Sequence, residues 1–435
     1  MVRFLHVADV HLGFSKYRQE NPSRTLDFFT AFDSALQTYA IEAGVDFVLI
    51  AGDLFEERMI TPGILNQAEY VLDKVRSAGI PVLAIEGNHD NCPYGVKSNW
   101  LRYLCEKDYL SLLEPDENGL LHPWDVETAR GGYIDLPCGV RVIGSQWYGA
   151  SAPRAIQQLA SQIQALPPGP RATIMLFHHG LEGQVSRYQG ALRYEELLPL
   201  RQAGVDYLAL GHIHRHYAVE DWIFNPGAVE ANSIQENQQQ NPRGVLLVTL
   251  DNGPPQAELK QDYWQRPIYR YSLNLSPSDT VTQVERRLQD LVRRHREEMA
   301  EAIVEVTLRG EVGFERSELA VRSLQGQLQE ASHAFIFRLG FAATPVAYQT
   351  YRNATAEPPP RALIEEQVFA DLLASVAEYR DRAEPLAKVL MHLKEDLLQP
   401  NVNIPDLYQW LADFSSANGT RGVDCPMDQL ASGRL

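Results

Sequence analysis

The stretch Phe4-Leu5-His6-Val7-Ala8-Asp9-Val10-His11-Leu12-Gly13, near the start of the chain, decides the fold. A short apolar run leads directly into a polar Asp-x-His pair. Apolar runs of this length are typical of buried strands, so we predict a strand over residues 3–8 with Asp9 and His11 just beyond it. Such a pair alone can bind a metal ion or lie in an ordinary loop, so it assigns no function.

The same pattern recurs four times further along the chain. Strand-like runs over 45–51, 81–86, 173–177 and 205–210 lead into Gly52-Asp53, Gly87-Asn88-His89-Asp90, His178-His179 and Gly211-His212-Ile213-His214. Helical apolar spacing lies between the first runs, over 24–43 and 61–79, and Thr61-Pro62 is a helix-start signal. This order predicts an α/β fold. Ligands bind beyond the carboxyl ends of strands in such sheets, so the five motifs should meet at one edge.

The motifs supply a set of side chains that suits metal chemistry. Its members are Asp9, His11, Asp53, Asn88, His178, His212 and His214. Enzymes that hydrolyse phosphate esters often use two divalent cations roughly 3.5 to 4 Å apart that share one carboxylate ligand. The cations bind the phosphate and activate a water molecule. Gly, Asn and Asp are also common turn residues, so each motif alone is ambiguous. The ordered set favours a two-metal site.

This set resembles the calcineurin-like metallophosphoesterase superfamily over residues 1 to about 250. Within it, the opening stretch, Ala51-Gly52-Asp53-Leu54-Phe55 and Phe224-Asn225-Pro226-Gly227 resemble the SbcD- and YhaO-like DNA repair exonucleases. The resemblance implies a layered fold with central mixed β-sheets flanked by helices. It also implies a two-metal-dependent DNA exonuclease that cleaves phosphodiesters with a metal-activated water.

The resemblance assigns roles to individual residues. It places Asp9, His11 and His214 on one metal ion and Asn88, His178 and His212 on the other, with Asp53 bridging the two. His89 would protonate the departing oxygen, a role that suits histidine because it exchanges protons near neutral pH. The resemblance points to two Mn²⁺ ions, although these mixed ligands also suit iron or zinc.

Two further residues carry open alternatives. Glu56 stands three residues after Asp53, where relatives in this superfamily carry histidine or aspartate. Our hypothesis is that the Glu56 carboxylate accepts a hydrogen bond from His89 and fixes its ring; the alternative is a solvated loop residue. Tyr148 could stack on a nucleic-acid base or belong to the core.

Length and cysteine content suggest a cytoplasmic protein of several domains. The chain has 435 residues, enough for two or three domains. Its four cysteines, Cys92, Cys105, Cys138 and Cys425, are far apart, which favours reduced thiols and argues against a structural zinc site. Asp9 and His11 come too early for a signal peptide, and no apolar run is as long as a membrane span. We therefore expect no membrane association.

Charge is unfavourable for a protein that binds DNA by itself. The formal net charge is −17, and such a chain is a poor non-specific binder of polyanions. Residues 264–355 are the exception, since their cationic side chains are all arginine, which suits phosphate contacts. This segment could face DNA, or its arginines could belong to an ordinary solvated face.

The second half of the chain predicts further parts. We expect a nuclease domain over 1–263 and a small α+β domain over 264–353, ordered strand, helix, strand, helix, strand. Its position resembles the capping domain of SbcD-like nucleases. A proline-rich linker over 354–360, a helical segment over 361–414 that Pro385 interrupts, and a polar tail over 415–435 should follow.

The helical segment needs a surface that covers its apolar face. It could pack on the chain's own domains. Alternatively, the resemblance implies docking on the coiled-coil base of an SbcC-like ABC-type ATPase, which would make the chain the nuclease subunit of an SbcCD-like repair complex. The resemblance also implies DNA as a partner and association of two copies as a homodimer.

Two other functions compete with the nuclease. One is a phosphoesterase that acts on a small nucleotide or a phosphoprotein, which would not need the long C-terminal additions. The other is a non-catalytic scaffold, which would typically lack some of the ligands. Because the ligand set is complete, the sequence favours the nuclease.

Overall fold

The computed structural model of the chain describes residues 1–92, 95–96, 98–184, 191–236, 242–345, 361–374, 379, 382–398, 405, 407–410 and 412. The predicted linker over 354–360 and tail over 415–435 lie outside these residues. Within them, no helix combines the length and the apolar character that crossing a bilayer requires.

Chain contacts divide the protein into two compact units. The first unit contains Met1–Arg270, His295–Glu305 and Gln329–Arg338, and the second contains Tyr271–Arg294, Val306–Leu328 and the described residues from Leu339 onward. The domain boundaries predicted from the sequence stay a prediction.

Two six-stranded sheets form the centre of the first unit. The twelve strands are β1 (Val2–Val7), β2 (Phe47–Ala51), β3 (Val82–Ile85), β4 (Ser111–Leu112), β5 (Tyr133–Leu136), β6 (Val140–Ile143), β7 (Ala172–His178), β8 (Tyr207–Gly211), β9 (Tyr217–Val219), β10 (Ile223–Asn225), β11 (Val245–Leu250) and β12 (Gln256–Lys260). One sheet has the order β12-β11-β1-β2-β3-β4 and the other the order β5-β6-β7-β8-β10-β9. The strands that carry the motifs run parallel, while β11, β12, β5 and β9 pair antiparallel with their neighbours. The predicted α/β fold with mixed sheets is confirmed.

Helices flank the sheets on their outer faces. They are α1 (Arg24–Leu36), continued by a π-helical turn Gln37–Glu42, then α2 (Pro62–Ser77), α3 (Trp100–Glu106), α4 (Ala152–Ala165) and α5 (Tyr194–Gln202). A 3-10 turn, Gly149–Ser151, precedes α4. Three apolar cores result: one between the sheets, one beneath α1 to α3, and one beneath α4 and α5.

Alternate residues of the central strands enter different cores. In β2, Phe47 and Leu49 belong to the core between the sheets, while Val48 and Ile50 belong to the core beneath the helices. Both faces of these strands are therefore buried. This explains why their sequences are continuous apolar runs without polar alternation.

The region after residue 264 has the predicted order of elements. It comprises β13 (Ile268–Leu275), α6 (Val281–Arg294), α7 (Arg296–Met299), β14 (Ile303–Val312), a 3-10 turn Arg316–Glu318, α8 (Val321–Ser332), β15 (Ile336–Phe341) and β16 (Thr344–Pro345). The strands form one sheet in the order β13-β14-β15, and β16 pairs with β14. Helix α6 buries Val284, Leu288 and Val292, as their spacing predicts.

Two helices, Arg361–Ala374 and Ala383–Leu397, represent the predicted helical segment in the described residues. Pro385 lies in the first turn of the second helix, where proline is tolerated because the N–H groups there have no partner within the helix. The two helices are joined by an ion pair between Lys394 and Glu365. Pro385 lies within the second helix, and most of the residues between the two helices lie outside the described residues, so the predicted interruption at Pro385 stays a prediction.

Several arginines of residues 264–355 are paired with carboxylates. Arg270 lies 2.8 Å from Glu305, and Arg287 lies 2.8 Å from Asp279. Arg293 pairs with Asp290. For these residues the contacts favour ordinary structural pairing over a DNA-facing surface.

Candidate metal centre

The predicted ligands meet where the parallel strands end. Asp9 follows β1, Asp53 follows β2, Asn88 and His89 follow β3, His178 ends β7, and His212 follows β8. Four residues in three of these loops have an unusual backbone conformation, since φ is 52° at Asp9, 53° at His11, 54° at Asp53 and 85° at His212. Positive φ is uncommon for residues other than glycine, and such strain concentrates at functional sites.

Two glycines allow the loops to approach one another. A Cβ atom at Gly87 would lie 2.1 Å from Asp53 Oδ1, and one at Gly52 would lie 2.4 Å from His178 Nδ1. Neither distance is physically accessible, so a side chain at either position would displace a predicted ligand. The glycines therefore belong to the construction of the site.

Asp9, His11 and His214 form the first group of ligand atoms, all within 4.8 Å of one another. The Nε2 atoms of His11 and His214 lie 3.2 Å apart. Asp9 is held in place because both its carboxylate oxygens lie 3.0 Å from the main-chain N–H of His212. These are the three residues that the resemblance assigns to one metal ion.

Asp53, His178 and His212 form the second group, and Asn88 joins them. Asn88 Oδ1 lies 2.8 Å from His212 Nδ1 and 3.3 Å from His178 Nε2. His178 Nε2 also lies 3.1 Å from Asp53 Oδ2. The structure thus brings the predicted second set together with the carboxylate predicted to be shared; the bridging role of Asp53 stays a prediction.

The donor set fits divalent cations. Two imidazole nitrogens that bind one cation at ~2.1 Å each lie roughly 3 to 3.5 Å apart, as the nitrogens of His11 and His214 do. Buried carboxylates stand beside them, and the amide oxygen of Asn88 faces the second group. Oxygen and imidazole ligands of this kind suit first-row transition metals.

The charges of the site without metal are shared between carboxylates and imidazoles. Burial disfavours protonation of both His178 and His214. For His178 the nearby charge of Asp53 outweighs burial and raises its pKa to about 9. For His214 the hydrogen bond that Glu236 accepts outweighs burial and raises its pKa to about 9 as well. Burial and the charge of His178 lower the pKa of His212 to about 3. Protons therefore occupy positions that cations would take, and metal binding must displace them.

His89 lies beside both groups without belonging to the second. Its main-chain N–H donates to Asp53 Oδ1 at 2.9 Å, and its ring is 4.9 Å from that of His11 between centroids. Its Nδ1 lies 2.6 Å from the main-chain oxygen of Glu56. Because a carbonyl oxygen only accepts, Nδ1 carries the proton and Nε2 is the ring nitrogen left to act on a substrate.

The surroundings of Glu56 bear on the hypothesis for its carboxylate, since a carboxylate oxygen of Glu56 lies within 4.8 Å of a ring nitrogen of His89. The oxygen that fixes His89 belongs to the main chain of Glu56, and the carboxylate instead lies 2.8 Å from His11 Nδ1. The reason is geometric: the main-chain N–H of Glu56 donates to the oxygen of Leu12 at 3.0 Å, which brings this residue alongside the loop that carries His11. The hydrogen bond predicted between the Glu56 carboxylate and His89 stays a prediction.

Two residues with structural roles at the site were not anticipated from the sequence. The buried Asp90 carboxylate accepts the main-chain N–H of Leu54 at 2.9 Å and that of Gly87 at 3.5 Å, which joins the loops after β2 and β3. The Trp147 ring lies 5.8 Å from the His178 ring and 5.4 Å from the His212 ring. The sequence spacing does not predict the contacts of either residue.

Tyr148 and His179 belong to the surroundings of the site. Tyr148 stacks on Phe177 with centroids 5.9 Å apart and packs against the core beneath α4 and α5. The core alternative for Tyr148 is thus favoured. His179 contacts the main-chain oxygens of Gly180 and Gly149, and it stacks on Trp147.

Comparison with known proteins gives a family and several relatives. Residues 2–216 match the calcineurin-like phosphoesterase family, as the motif order predicts. The chain is 31% identical over 243 residues to the DNA double-strand break repair protein Mre11 of Archaeoglobus fulgidus, covering 54% of this chain and 52% of that protein. It is 27% identical to the protein of the same name from Aeropyrum pernix, covering 72% and 74%, and 24% identical to the uncharacterized metallophosphoesterase YhaO of Bacillus subtilis, covering 71% of each. The chain thus spans about half the length of the Archaeoglobus relative.

Proposed function

Because residues 2–216 belong to the calcineurin-like phosphoesterase family, we propose that the chain hydrolyses phosphodiester bonds in DNA with two divalent cations. One observation carries the proposal: two adjacent groups of ligand atoms, with the imidazole of His89 beside them. DNA is the substrate class because relatives from two archaea are named as DNA double-strand break repair proteins.

The ligands would hold the cations in the arrangement that the resemblance implies. Asp9, His11 and His214 would hold one cation, Asn88, His178 and His212 would hold the other, and Asp53 would serve both. Bound divalent cations supply a water with a lowered pKa and neutralise charge on the phosphate. We propose Mn²⁺ because the resemblance to SbcD-like nucleases points to it, and the mixed imidazole, carboxylate and amide set is compatible with it.

His89 acts on the leaving group. Its Nδ1–H is held by the main-chain oxygen of Glu56, so the ring is oriented before substrate binds. Nε2 then delivers a proton to the departing oxygen of the DNA chain. Fixing one ring nitrogen in this way determines which nitrogen takes part in proton transfer.

Hydrolysis of two substrates in parallel tests the proposal. The purified chain is incubated with end-labelled duplex DNA or a small chromogenic phosphodiester, with Mn²⁺ or with chelator. We expect Mn²⁺-dependent shortening of the DNA that His89→Asn abolishes. Cleavage of the small ester while DNA stays intact, even with the cognate ATPase present, would replace the nuclease by a small-substrate phosphoesterase.

We propose further that the C-terminal helices dock on an SbcC-like ABC-type ATPase, as in an SbcCD-like repair complex. Helix Arg361–Ala374 exposes Ile364, Val368 and Leu372 at intervals of four residues, and Leu363 beside them. An exposed apolar stripe at this spacing suits recognition of a helix by a groove. The ATPase would supply the cationic DNA surface that a chain with a net charge of −17 lacks.

Co-purification with the cognate ATPase tests the docking. Ile364→Asp combined with Leu372→Asp should abolish co-purification, whereas Mn²⁺-dependent cleavage of the small phosphodiester should persist. An unchanged complex would remove the docking proposal and leave the nuclease proposal standing.

A cytoplasmic location agrees with the described cysteines. Cys92, Cys105 and Cys138 are free thiols, as expected in a reducing compartment. The homodimer implied by the resemblance stays a prediction.

A further inference from the structure

We propose that a polar cavity beside the candidate metal centre binds a nucleobase of the DNA substrate and prefers bases that carry an exocyclic amino group. The inference rests on the proposed function and deepens it, because it gives a place to a nucleotide next to the phosphate that is cleaved.

The cavity lies within the first unit and has a volume of about 480 Å³. Pockets that bind small ligands have volumes of roughly 300 to 1,000 Å³, so the cavity is large enough for a base. Its lining is mainly polar and includes Glu86, Cys92, Arg102, Glu106, Glu114 and Trp147. A ligand of this cavity must therefore offer hydrogen bonds.

The cavity and the metal centre are built from the same segments of chain. Glu86 precedes the predicted ligand Asn88 by two residues, so their Cα atoms lie at most ~7.6 Å apart. The ring of Trp147, which lines the cavity, lies 5.4 Å from the ring of His212. In a nucleotide only one sugar separates the base from its phosphate. A phosphate held at the metal centre would thus bring a neighbouring base to the cavity.

The charges of the lining disfavour a phosphate inside the cavity. Glu114 is paired with Arg102 and lies 4.0 Å from Arg130. In the part of the chain that the structure describes, neither Glu86 nor Glu106 forms an ion pair with a cationic side chain. These two carboxylates repel an anion but accept hydrogen bonds from the amino group of a neutral base.

Glu86 is fixed in the lining and can accept further hydrogen bonds. Its Oε2 accepts from Asn99 Nδ2 at 3.0 Å, and its Oε1 accepts the main-chain N–H of Trp147 at 3.2 Å. A carboxylate has about four acceptor positions, so about two are left for a ligand. Because the carboxylate is already held in place, little conformational freedom is lost when a base enters.

Such acceptors distinguish the bases from one another. Adenine and cytosine carry an amino group, whereas thymine carries a carbonyl oxygen at the corresponding position. A carboxylate accepts from the amino group and is repelled by the carbonyl oxygen. Good hydrogen bonds to a base edge discriminate at least about fivefold against the wrong base, so we expect this preference for adenine and cytosine over thymine.

Alkylation of Cys92 tests the proposal without cations or cleavage. Cys92 is an exposed thiol that lines the cavity, and Cys138 does not belong to the described lining. The metal-free full-length chain is treated with iodoacetamide at rising concentrations of deoxyadenosine, deoxycytidine or thymidine, and mass spectrometry follows each cysteine. The nucleosides should slow modification of Cys92 only. The Kd should be at least about fivefold lower for deoxyadenosine and deoxycytidine than for thymidine.

Variants of the two carboxylates test the source of the preference. Glu86→Gln and Glu106→Gln should each raise the Kd of deoxycytidine at least about fivefold. Glu117→Gln, at an exposed residue outside the described lining, is the matched control and should bind like the wild-type chain. Near-UV circular dichroism checks the fold of each variant. Should Glu86→Gln misfold, Glu106→Gln carries the test.

Cleavage with Mn²⁺ under single-turnover conditions connects the cavity with the reaction. Oligonucleotides that carry an abasic residue on one or the other side of the first bond to be cleaved are compared with the unmodified strand. The wild-type chain should cleave one of the two at least about fivefold more slowly. Equal rates on all three substrates would remove the base from the proposed cavity.

The outcomes separate this inference from the proposed function. A chain that cleaves DNA but whose Cys92 no nucleoside protects would overturn the inference alone. So would equal protection by the three nucleosides, or a preference that survives both glutamine substitutions. Protection of Cys92 in a chain that leaves DNA intact would overturn the proposed function and leave a cavity that binds bases.

Discussion

His89 is the residue whose proposed role is most easily separated from metal binding. Its ring is fixed by a main-chain oxygen, and it is outside the predicted ligand set. His89→Asn should lower the rate of DNA cleavage by about 10² to 10⁴, the usual contribution of a general acid, while two Mn²⁺ ions remain bound. Rates under single-turnover conditions and bound metal are measured on the same preparation. Loss of a metal ion would show that His89 is a ligand.

His6 predicts a dependence of stability on pH. It is fully buried; its Nε2 donates to Leu210 and its Nδ1 accepts from Tyr207, both at 3.0 Å. Burial lowers its pKa from 6.5 to about 3, and the charge of His216 adds to this. Because the folded pKa is depressed, the unfolded chain takes up the proton first as pH falls below 6.5, and stability is lost toward pH 3.

The pH dependence is measured against a variant that cannot titrate. The free energy of unfolding of the wild-type chain and of His6→Gln is compared at pH 7.5 and 5.5. The wild-type chain should lose about 1.4 kcal/mol relative to the variant over this interval, from a group with a pKa of 6.5 when unfolded. A constant difference would mean that His6 is protonated in both states or in neither.

Residue types and spacing were sufficient to predict which side chains the structure brings together, but not the contacts behind them. Asp9, His11 and Asp53 were visible because each directly follows an apolar strand. Glu236, which contacts His214, follows no such strand, and the partner of Glu56 depends on how two loops approach. Local sequence carries no information on such contacts, so the contact of the Glu56 carboxylate with His11 was not predicted.

Among elements, the turn after β3 places a severe steric demand on the sequence. A Cβ at Gly87 would lie 2.1 Å from Asp53 Oδ1 and 2.6 Å from Asp53 N. Gly87→Ala should therefore displace the shared carboxylate and reduce binding of both Mn²⁺ ions at least tenfold. Gly63→Ala in α2, where a Cβ meets only the Thr61 hydroxyl at 3.9 Å, is the control and should bind metal normally. Normal metal binding by Gly87→Ala would contradict the predicted position of Asp53.

Elements were predicted most accurately where burial is complete on both faces. The run over 45–51 predicted β2, observed as Phe47–Ala51, because a strand between two cores must be apolar throughout. The end of the first helix was predicted less accurately. A single helix was predicted over 24–43, but regular α-helix ends at Leu36 and a π-helical turn follows, since apolar spacing alone does not distinguish the two.

At the scale of the whole molecule, contacts between distant parts of the chain determine which charged side chains are left to bind a partner such as DNA. Arg266 belongs to the segment that the sequence offered as a DNA-facing surface. The structure instead shows its guanidinium bonded to Asp27, 239 residues earlier, with Nη2 to Oδ1 at 2.6 Å. No local pattern predicts a partner at that separation, so a count of arginines overestimates the cationic surface.

The same contact leads to a prediction about stability. Asp27 is buried between Arg24, whose Nη1 lies 2.6 Å away, and Arg266, while Glu230 accepts from both Arg24 and the main chain of Arg266. Asp27→Asn removes one charge from this network and leaves the buried guanidinium of Arg24 and the partly exposed guanidinium of Arg266 with insufficient compensation. It should lower the free energy of unfolding by about 3 to 5 kcal/mol, as observed when one partner of a buried ion pair is removed.

A more exposed ion pair on the same helix provides the matched comparison. Asp33 also lies in α1 and contacts Lys74 at 2.6 Å, but both side chains are partly exposed. Asp33→Asn should cost less than about 1 kcal/mol, because water screens the pair and solvates the remaining lysine. Urea unfolding of both variants measures the difference. Equal small losses would mean that the Asp27 network is as well solvated as a surface pair, and that helix α1 and the chain near residue 266 do not depend on it for their association.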